Sequence, residues 1–220
     1  MLHLKSIIEN PQKIKIIIFD FGGVICDLDI NKTVEKFKAF GPSKPGFKVS
    51  AEKQNRNFEM LVEQIERSRI TPQQFRDSIR NHYISEPSDP DIDDAWNAML
   101  TGIPPERIKL LENIRKNYRV FLLSNSNEIH YQKYLADFKE KYGYEDFSSL
   151  FEKTYFSFRI NLIKPDKDVF EFVLADSGLN PGETLFIDDM LKNVEAARQV
   201  GINGYHLKPG EDILDLFSAL

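Results

Sequence analysis

The 220-residue sequence has a single cysteine, Cys26, so it can form no internal disulfide framework, and a reducing compartment is expected. It lacks any apolar run long enough to span a membrane. Met1 to Gln12 lacks the apolar stretch and small-residue cleavage site of an export signal. Without such a signal the sequon Asn31-Lys32-Thr33 carries no weight. Positive charge is not in excess either. With 29 basic against 34 acidic residues the net charge is -5, and there is no basic patch or stripe of the kind nucleic acid demands. Internal repeats and low-complexity tracts are absent. The expectation is a cytoplasmic protein with neither membrane nor nucleic-acid partners.

What is present supports a packed α/β domain with a second, smaller module. Hydrophobic residues make up 41% of the chain and charged residues 29%, enough for one core of several buried strands. Three apolar runs lack polar alternation: Ile14 to Phe19, Val120 to Leu123 and Thr184 to Ile187. Such runs suit strands covered on both faces, as in a parallel sheet. Lys153 to Ser157 and Asn203 to Leu207 are weaker strand candidates. Helices are predicted over Glu106 to Asn117, Asp168 to Ser177 and Leu191 to Val200, the last two closed by Gly178 and Gly201. The alternation predicts a doubly wound parallel sheet of the Rossmann-like kind. Between about Asp29 and Ile103 the strand signal stops. Helical stretches follow, separated by the loop Gly41 to Gly46, the capping sequence Thr71-Pro72-Gln73-Gln74, and a turn at Asp89-Pro90-Asp91 before a helix carrying Trp96. The predicted organisation is an α/β core over 1–28 and 104–220, with an all-helical cap inserted over 29–103.

Ligands of open α/β sheets bind beyond the carboxyl ends of the strands. Asp20 follows the first apolar run, Ser124-Asn125 the second and Asp188-Asp189 the Thr184 run, while Lys164 precedes Pro165 just ahead of a helix. Three carboxylates converging on one edge repel unless a cation compensates, and Mg²⁺ is the natural candidate. One carboxylate left free to attack phosphorus would form an aspartyl phosphate. Lys164 would neutralise charge on the transferring group. Ser124, with Asn125 beside it, would hold phosphate oxygens, helped by a helix starting at Ser126 or Asn127. Asp20-Phe21-Gly22 also spells a kinase metal triplet, but the Gly-rich loop, strand lysine and catalytic loop of a kinase are missing.

These four motifs, in this order and at strand ends, resemble the haloacid-dehalogenase superfamily. Ile16-Ile17-Ile18-Phe19-Asp20-Phe21-Gly22-Gly23-Val24 matches its first motif except at Gly22, Ser124 the second, Lys164 the third and Asp188-Asp189 the fourth. The insert looks like the family's C1 cap. Phe186 to Arg198 resembles the branch with bacterial sugar-phosphate phosphatases and the phosphatase half of soluble epoxide hydrolases. The resemblance implies a Mg²⁺ site built from Asp20, the Gly22 carbonyl, Asp189 and Asp188, with Asp189 ahead of Asp188 as direct ligand. It also implies a general acid two residues after the nucleophile, where this chain has Gly22.

The resulting expectation is a Mg²⁺-dependent phosphatase acting on a small phosphorylated metabolite, a sugar phosphate. A sugar 1-phosphate is the narrower choice, because its leaving oxygen needs less help from an acid. The rival is a non-catalytic binder or regulator that kept the fold and metal site. Asp27 or Asp29 could replace the missing acid, although capping the first cap helix is the plainer role for one of them. Cys26 and Trp96 read as buried packing residues, and so does the stripe Phe138, Tyr142, Tyr144 and Phe147. The histidines at 3, 82, 130 and 206 have no ligand spacing, and only His130 lies near the Ser124 loop. A monomer or small homo-oligomer is expected.

Overall fold

The computed structural model describes residues 13–45 and 51–218. Met1 to Gln12, and with them His3, lie outside the described residues, as does Gly46 of the expected loop. Five strands form one parallel sheet: β1 (Ile16–Phe19), β4 (Arg119–Ser124), β5 (Lys153–Phe156), β6 (Thr184–Asp188) and β7 (Asn203–His206), in the order β5-β4-β1-β6-β7. Both weaker candidates are therefore strands, and they form the two edges. Two further short strands, β2 (Asp27–Leu28) and β3 (Leu100–Gly102), pair antiparallel where the chain leaves the sheet and where it returns.

Continuous apolarity in β1 reflects burial on both faces. Ile17 and Phe19 face one layer with Leu122, Leu185 and Ile187, under α5 (Pro105–Ile114), α6 (Glu128–Tyr142) and α10 (Ile213–Leu216). Ile16 and Ile18 face the other with Phe121, Leu123 and Phe186, under α8 (Lys167–Asp176) and α9 (Leu191–Gln199). Each large side chain buried this way contributes about 1.5–3 kcal/mol. The short helix α7 (Ser157–Ile160) follows β5.

The insert holds α1 (Ile30–Ala39), α2 (Ala51–Glu66), α3 (Pro72–His82) and α4 (Asp89–Asn97). Thr71 and Gln74 form the expected capping box on α3. Asp89-Pro90-Asp91 is not a turn ahead of a helix but the first turn of α4 itself. Ser88 caps it with Asp91 as the reciprocal partner, and proline is tolerated there because the first-turn N–H groups have no helical acceptor. These helices bury Phe37, Ile65, Phe75, Ile79, Ile92 and Trp96 around a core of their own, and Ile129 of α6 joins it. No helix among the described residues is long and apolar enough to cross a membrane.

Arg107, only 8% exposed, ties the loop after β1 to the C-terminal helix. It donates to Asp27 Oδ1 at 2.7 Å, to the Ile25 carbonyl at 3.1 Å and to Asp212 Oδ2 at 2.7 Å. Replacing Arg107 with Met leaves those acceptors unpaired and should cost about 1–3 kcal/mol, since both carboxylates are partly solvated. A urea unfolding midpoint unchanged in Arg107→Met would show that the tie contributes nothing.

Candidate active site

The register of the sheet decides which side chains meet at its carboxyl edge. Phe19 pairs with Leu122 and Ile187, so Asp20, Ser124 and Asp188 emerge together. The Asp20 amide donates to the Ile187 carbonyl at 2.9 Å, continuing the ladder to the last residue before the turn. Lys164 reaches this edge from the segment before α8, and its peptide to Pro165 is cis. Its Nζ lies 2.8 Å from Asp20 Oδ1 and 2.7 Å from Asp188 Oδ2, and all three residues are buried.

Each charged group is held by its own local contacts. Asp20 Oδ1 also accepts from the Phe21 amide at 2.6 Å. Asp188 Oδ1 accepts from the Met190 amide at 2.7 Å, and Asn193 Nδ2 lies 3.0 Å from both Asp188 oxygens. Asn125 takes up the backbone of Lys164 in both directions: its Oδ1 accepts from the Lys164 amide and its Nδ2 donates to the Lys164 carbonyl, each at 2.9 Å. The Asn125 side chain therefore orients the lysine. Ser124 is 2% exposed, and its Oγ has a single long contact of 3.4 Å, to the Asn125 carbonyl. Asn127 starts α6 by accepting from the His130 amide at 3.1 Å, which sets that helix's N-terminus beside Ser124.

Asp189 differs from its neighbour. It is exposed, and it offers an oxygen within 4.8 Å of ligand atoms of Asp20 and Asp188. Gly23 makes this approach possible: it has φ +76°, and a Cβ there would lie 2.4 Å from Asp189 Oδ2. At Gly22 a Cβ would meet Leu28 Cδ1 at 2.8 Å, so Leu28 of β2 covers the place where a side chain would stand. Asp29 caps α1 by accepting from the Asn31 amide at 3.1 Å, and Asp27 pairs with Arg107. Both candidate replacement acids are thus occupied elsewhere.

Burial raises the Asp20 carboxyl to about 7, against the pull of Lys164 and with the push of Asp188. Asp189 is also raised, because its carboxyl, though the residue is exposed, is partly desolvated at this edge and lies beside Asp188. Burial opposes the charge on Lys164, but Asp188 and Asp20 outweigh it and hold the ammonium above the ordinary lysine range. Three acids beside one base leave negative charge uncompensated, and an all-oxygen set of this kind suits a hard divalent cation. Burial lifts Cys26 to about 11, so its thiol is not a nucleophile near neutrality. Burial drops His130 to about 3; it is neutral, stacked on Trp96 and bonded through Nδ1 to Asn97 Oδ1 at 2.8 Å.

Two residues near the edge were not picked out from the sequence as members of the site. Asn193 lies one helical turn beyond Asp189, a spacing that could have flagged it. Glu66, at the end of α2, carries no local signal, because its place depends on how the cap docks.

The raised Asp20 has a consequence for stability. In metal-free protein the folded state keeps this proton up to about pH 7, whereas the unfolded chain releases it near 3.8. The native state binds more protons in that window, so stability should fall as pH climbs from about 4 to about 7, by at most about 4 kcal/mol. Urea titrations in chelator should show that slope shrinking in Asp20→Asn; an identical slope would mean that Asp20 is not held protonated.

Comparison with known proteins agrees with this geometry. The haloacid dehalogenase-like hydrolase family profile matches residues 14–201. A D-ribitol-5-phosphate phosphatase of Bacteroides thetaiotaomicron is 28% identical over 199 residues, which is 90% of this chain and 94% of that protein. A haloacid-dehalogenase family enzyme of the same organism superposes with a TM-score of 0.82 at 37% identity, covering 92% of this chain and 97% of its own. That enzyme has also been crystallised with magnesium and inorganic phosphate. A predicted hydrolase of this family from Porphyromonas gingivalis gives a TM-score of 0.80 at 30% identity, covering 92% of this chain and 95% of its own. With the matched profile spanning both sheet and insert, the chain belongs to the haloacid dehalogenase-like hydrolases.

Proposed function

We propose that this protein is a Mg²⁺-dependent phosphatase for a small phosphorylated sugar or sugar alcohol, with residues 29–103 as the cap over its site. The observation that carries the reading is the buried Lys164 ammonium held between Asp20 and Asp188, with Asp189 within reach of the same point. A structural ion pair would not need a third acid turned toward it. The comparisons support the substrate class: a relative is named for D-ribitol 5-phosphate, and a family enzyme of the same organism was crystallised with magnesium and phosphate.

The donor set fits Mg²⁺: carboxylates of Asp20, Asp189 and Asp188, and the Gly22 carbonyl, with Gly23 leaving Asp189 room to approach. Bound there, the ion would neutralise the acids and the phosphoryl oxygens. Asp20 Oδ attacks phosphorus, the bond to the leaving oxygen breaks, and an aspartyl phosphate forms. Lys164 balances the negative charge that gathers on the transferring group, and Asn125 keeps it aligned. Ser124 Oγ and the N-terminal amides of α6 receive phosphate oxygens. Water then attacks the same phosphorus and releases phosphate and Asp20. Within the substrate class, the bare Gly22 favours a stable leaving oxygen such as the anomeric one of a sugar 1-phosphate, unless another acid serves the site.

Phosphate release should be measured across sugar 1-phosphates, sugar 5-phosphates and sugar-alcohol phosphates, with Mg²⁺ and with chelator. Release is expected only with the ion, and it should vanish in Asp20→Asn. Metal-independent release, or full release from Asp20→Asn, would overturn this assignment. A protein that binds phosphate and Mg²⁺ but turns over no ester would be a binder instead. Lys164→Met should bind phosphate far more weakly, and isothermal titration with inorganic phosphate reads that directly.

A further inference from the structure

The acid that Gly22 cannot supply has a counterpart on the cap. Glu66 is the last residue of α2, and the two residues after it are fastened to the core on either side of Lys164. Arg67 Nη2 donates to Asp166 Oδ2 at 2.7 Å, and Ser68 Oγ donates to the Phe158 carbonyl. Ser68, two residues past the end of the helix, has φ 52°, so the chain turns there, and these two ties set the end of α2 at the cap–core seam. The charges that act on Glu66 come from both sides of that seam: Lys164 from the sheet edge, Lys192 from the first turn of α9, and Glu63 and Arg67 from α2 itself. The buried Tyr134 of α6 also feels it. Glu66 is therefore a cap carboxyl that shares the Lys164 neighbourhood.

We propose that Glu66 is the general acid and base of this enzyme, serving the leaving oxygen from the cap side because Gly22 has no side chain to do so from the core. This rests on the phosphatase reading above. In the first half-reaction Asp20 Oδ bonds to phosphorus, the phosphorus–oxygen bond to the alcohol breaks, and the Glu66 proton passes to that oxygen. In the second, water bonds to phosphorus, its proton returns to Glu66, and the bond to Asp20 breaks. Atoms and charge balance over the cycle, and no further reactant is required. The Glu66 side chain is half-buried, and its partial desolvation raises the carboxyl to about 7 against the pull of Lys164, so near neutrality it can both give and take a proton. With such an acid in place the site is not confined to anomeric phosphates.

The test compares Glu66→Gln with wild type on two probes: the sugar-alcohol phosphate the wild type turns over fastest, and p-nitrophenyl phosphate, whose leaving group needs no proton. On the first, kcat should fall by about 10²–10⁴-fold, and the decline of wild-type kcat/KM above pH about 7 should disappear. On the second, stopped flow should show a rapid burst of nitrophenolate, close to one per site, followed by slow turnover as the aspartyl phosphate waits for its base. Unchanged kcat on the alkyl phosphate overturns the proposal. So does a folded, Mg²⁺-binding variant that loses the burst, because that marks a merely structural role. If wild type itself releases nothing from either probe, the phosphatase reading fails and this inference goes with it.

Discussion

A primary ammonium taken out of water needs compensation from every side, and Lys164 has nearly no contact with solvent. Its attraction to Asp20 and Asp188 repays the desolvation only if the geometry is held closely, because a buried pair that loses one partner leaves a bare charge. Much of the surrounding structure does this holding. The parallel register sets Asp20 and Asp188 on adjacent strands, Asn193 and the Met190 amide fix the Asp188 carboxylate, and Asn125 grips the lysine's own backbone. The site is thus rigid before any ligand arrives, which is the condition under which fixed charges stabilise a transition state most.

That rigidity sits opposite a gap. In the turn after β1 the left-handed Gly23 lets Asp189 come close, and the volume beside Gly22 is filled by Leu28 rather than by a catalytic side chain. The helical insert is fastened to the core close to this edge. It is tied down by Arg67 and Ser68 close to Lys164, so a group at the end of α2 is placed almost as firmly as one on a strand.

The parts legible in the sequence were those with a period or a local motif. Buried strands announced themselves because both faces are covered, so Ile16 to Phe19 has no polar residue to mark a surface. Edge strands β5 and β7 were fainter because one side of each is unpaired, so polar residues such as Lys153 and Asn203 are tolerated there. Asp20, Lys164, Asp188 and Asp189 stood out because strand ends in such sheets face the ligand. A second job of Asn125 was not legible: its side chain holds the backbone of Lys164, and only the tertiary path of that segment reveals the clamp. Asp89-Pro90-Asp91 was misread for the opposite reason, since proline and acids serve a first helical turn as well as a loop. Glu66 was out of reach, because the docking of α2 is decided by cap packing far from it in sequence.

Trp96 is the sole tryptophan of the chain, and its position gives the molecule an optical property. It belongs to the cap core, yet its Nε1 donates to Asn127 Oδ1 at 3.4 Å, and its ring stacks on His130 at 4.7 Å. Both partners lie on α6, the helix whose N-terminus faces the site. Tryptophan emission, excited at wavelengths where the eight tyrosines do not absorb, thus arises from one indole packed between the insert's helices and α6. Burial keeps the adjacent imidazole uncharged across the neutral range, so its quenching is constant there. Emission from this protein reports the spacing of cap and core without a label.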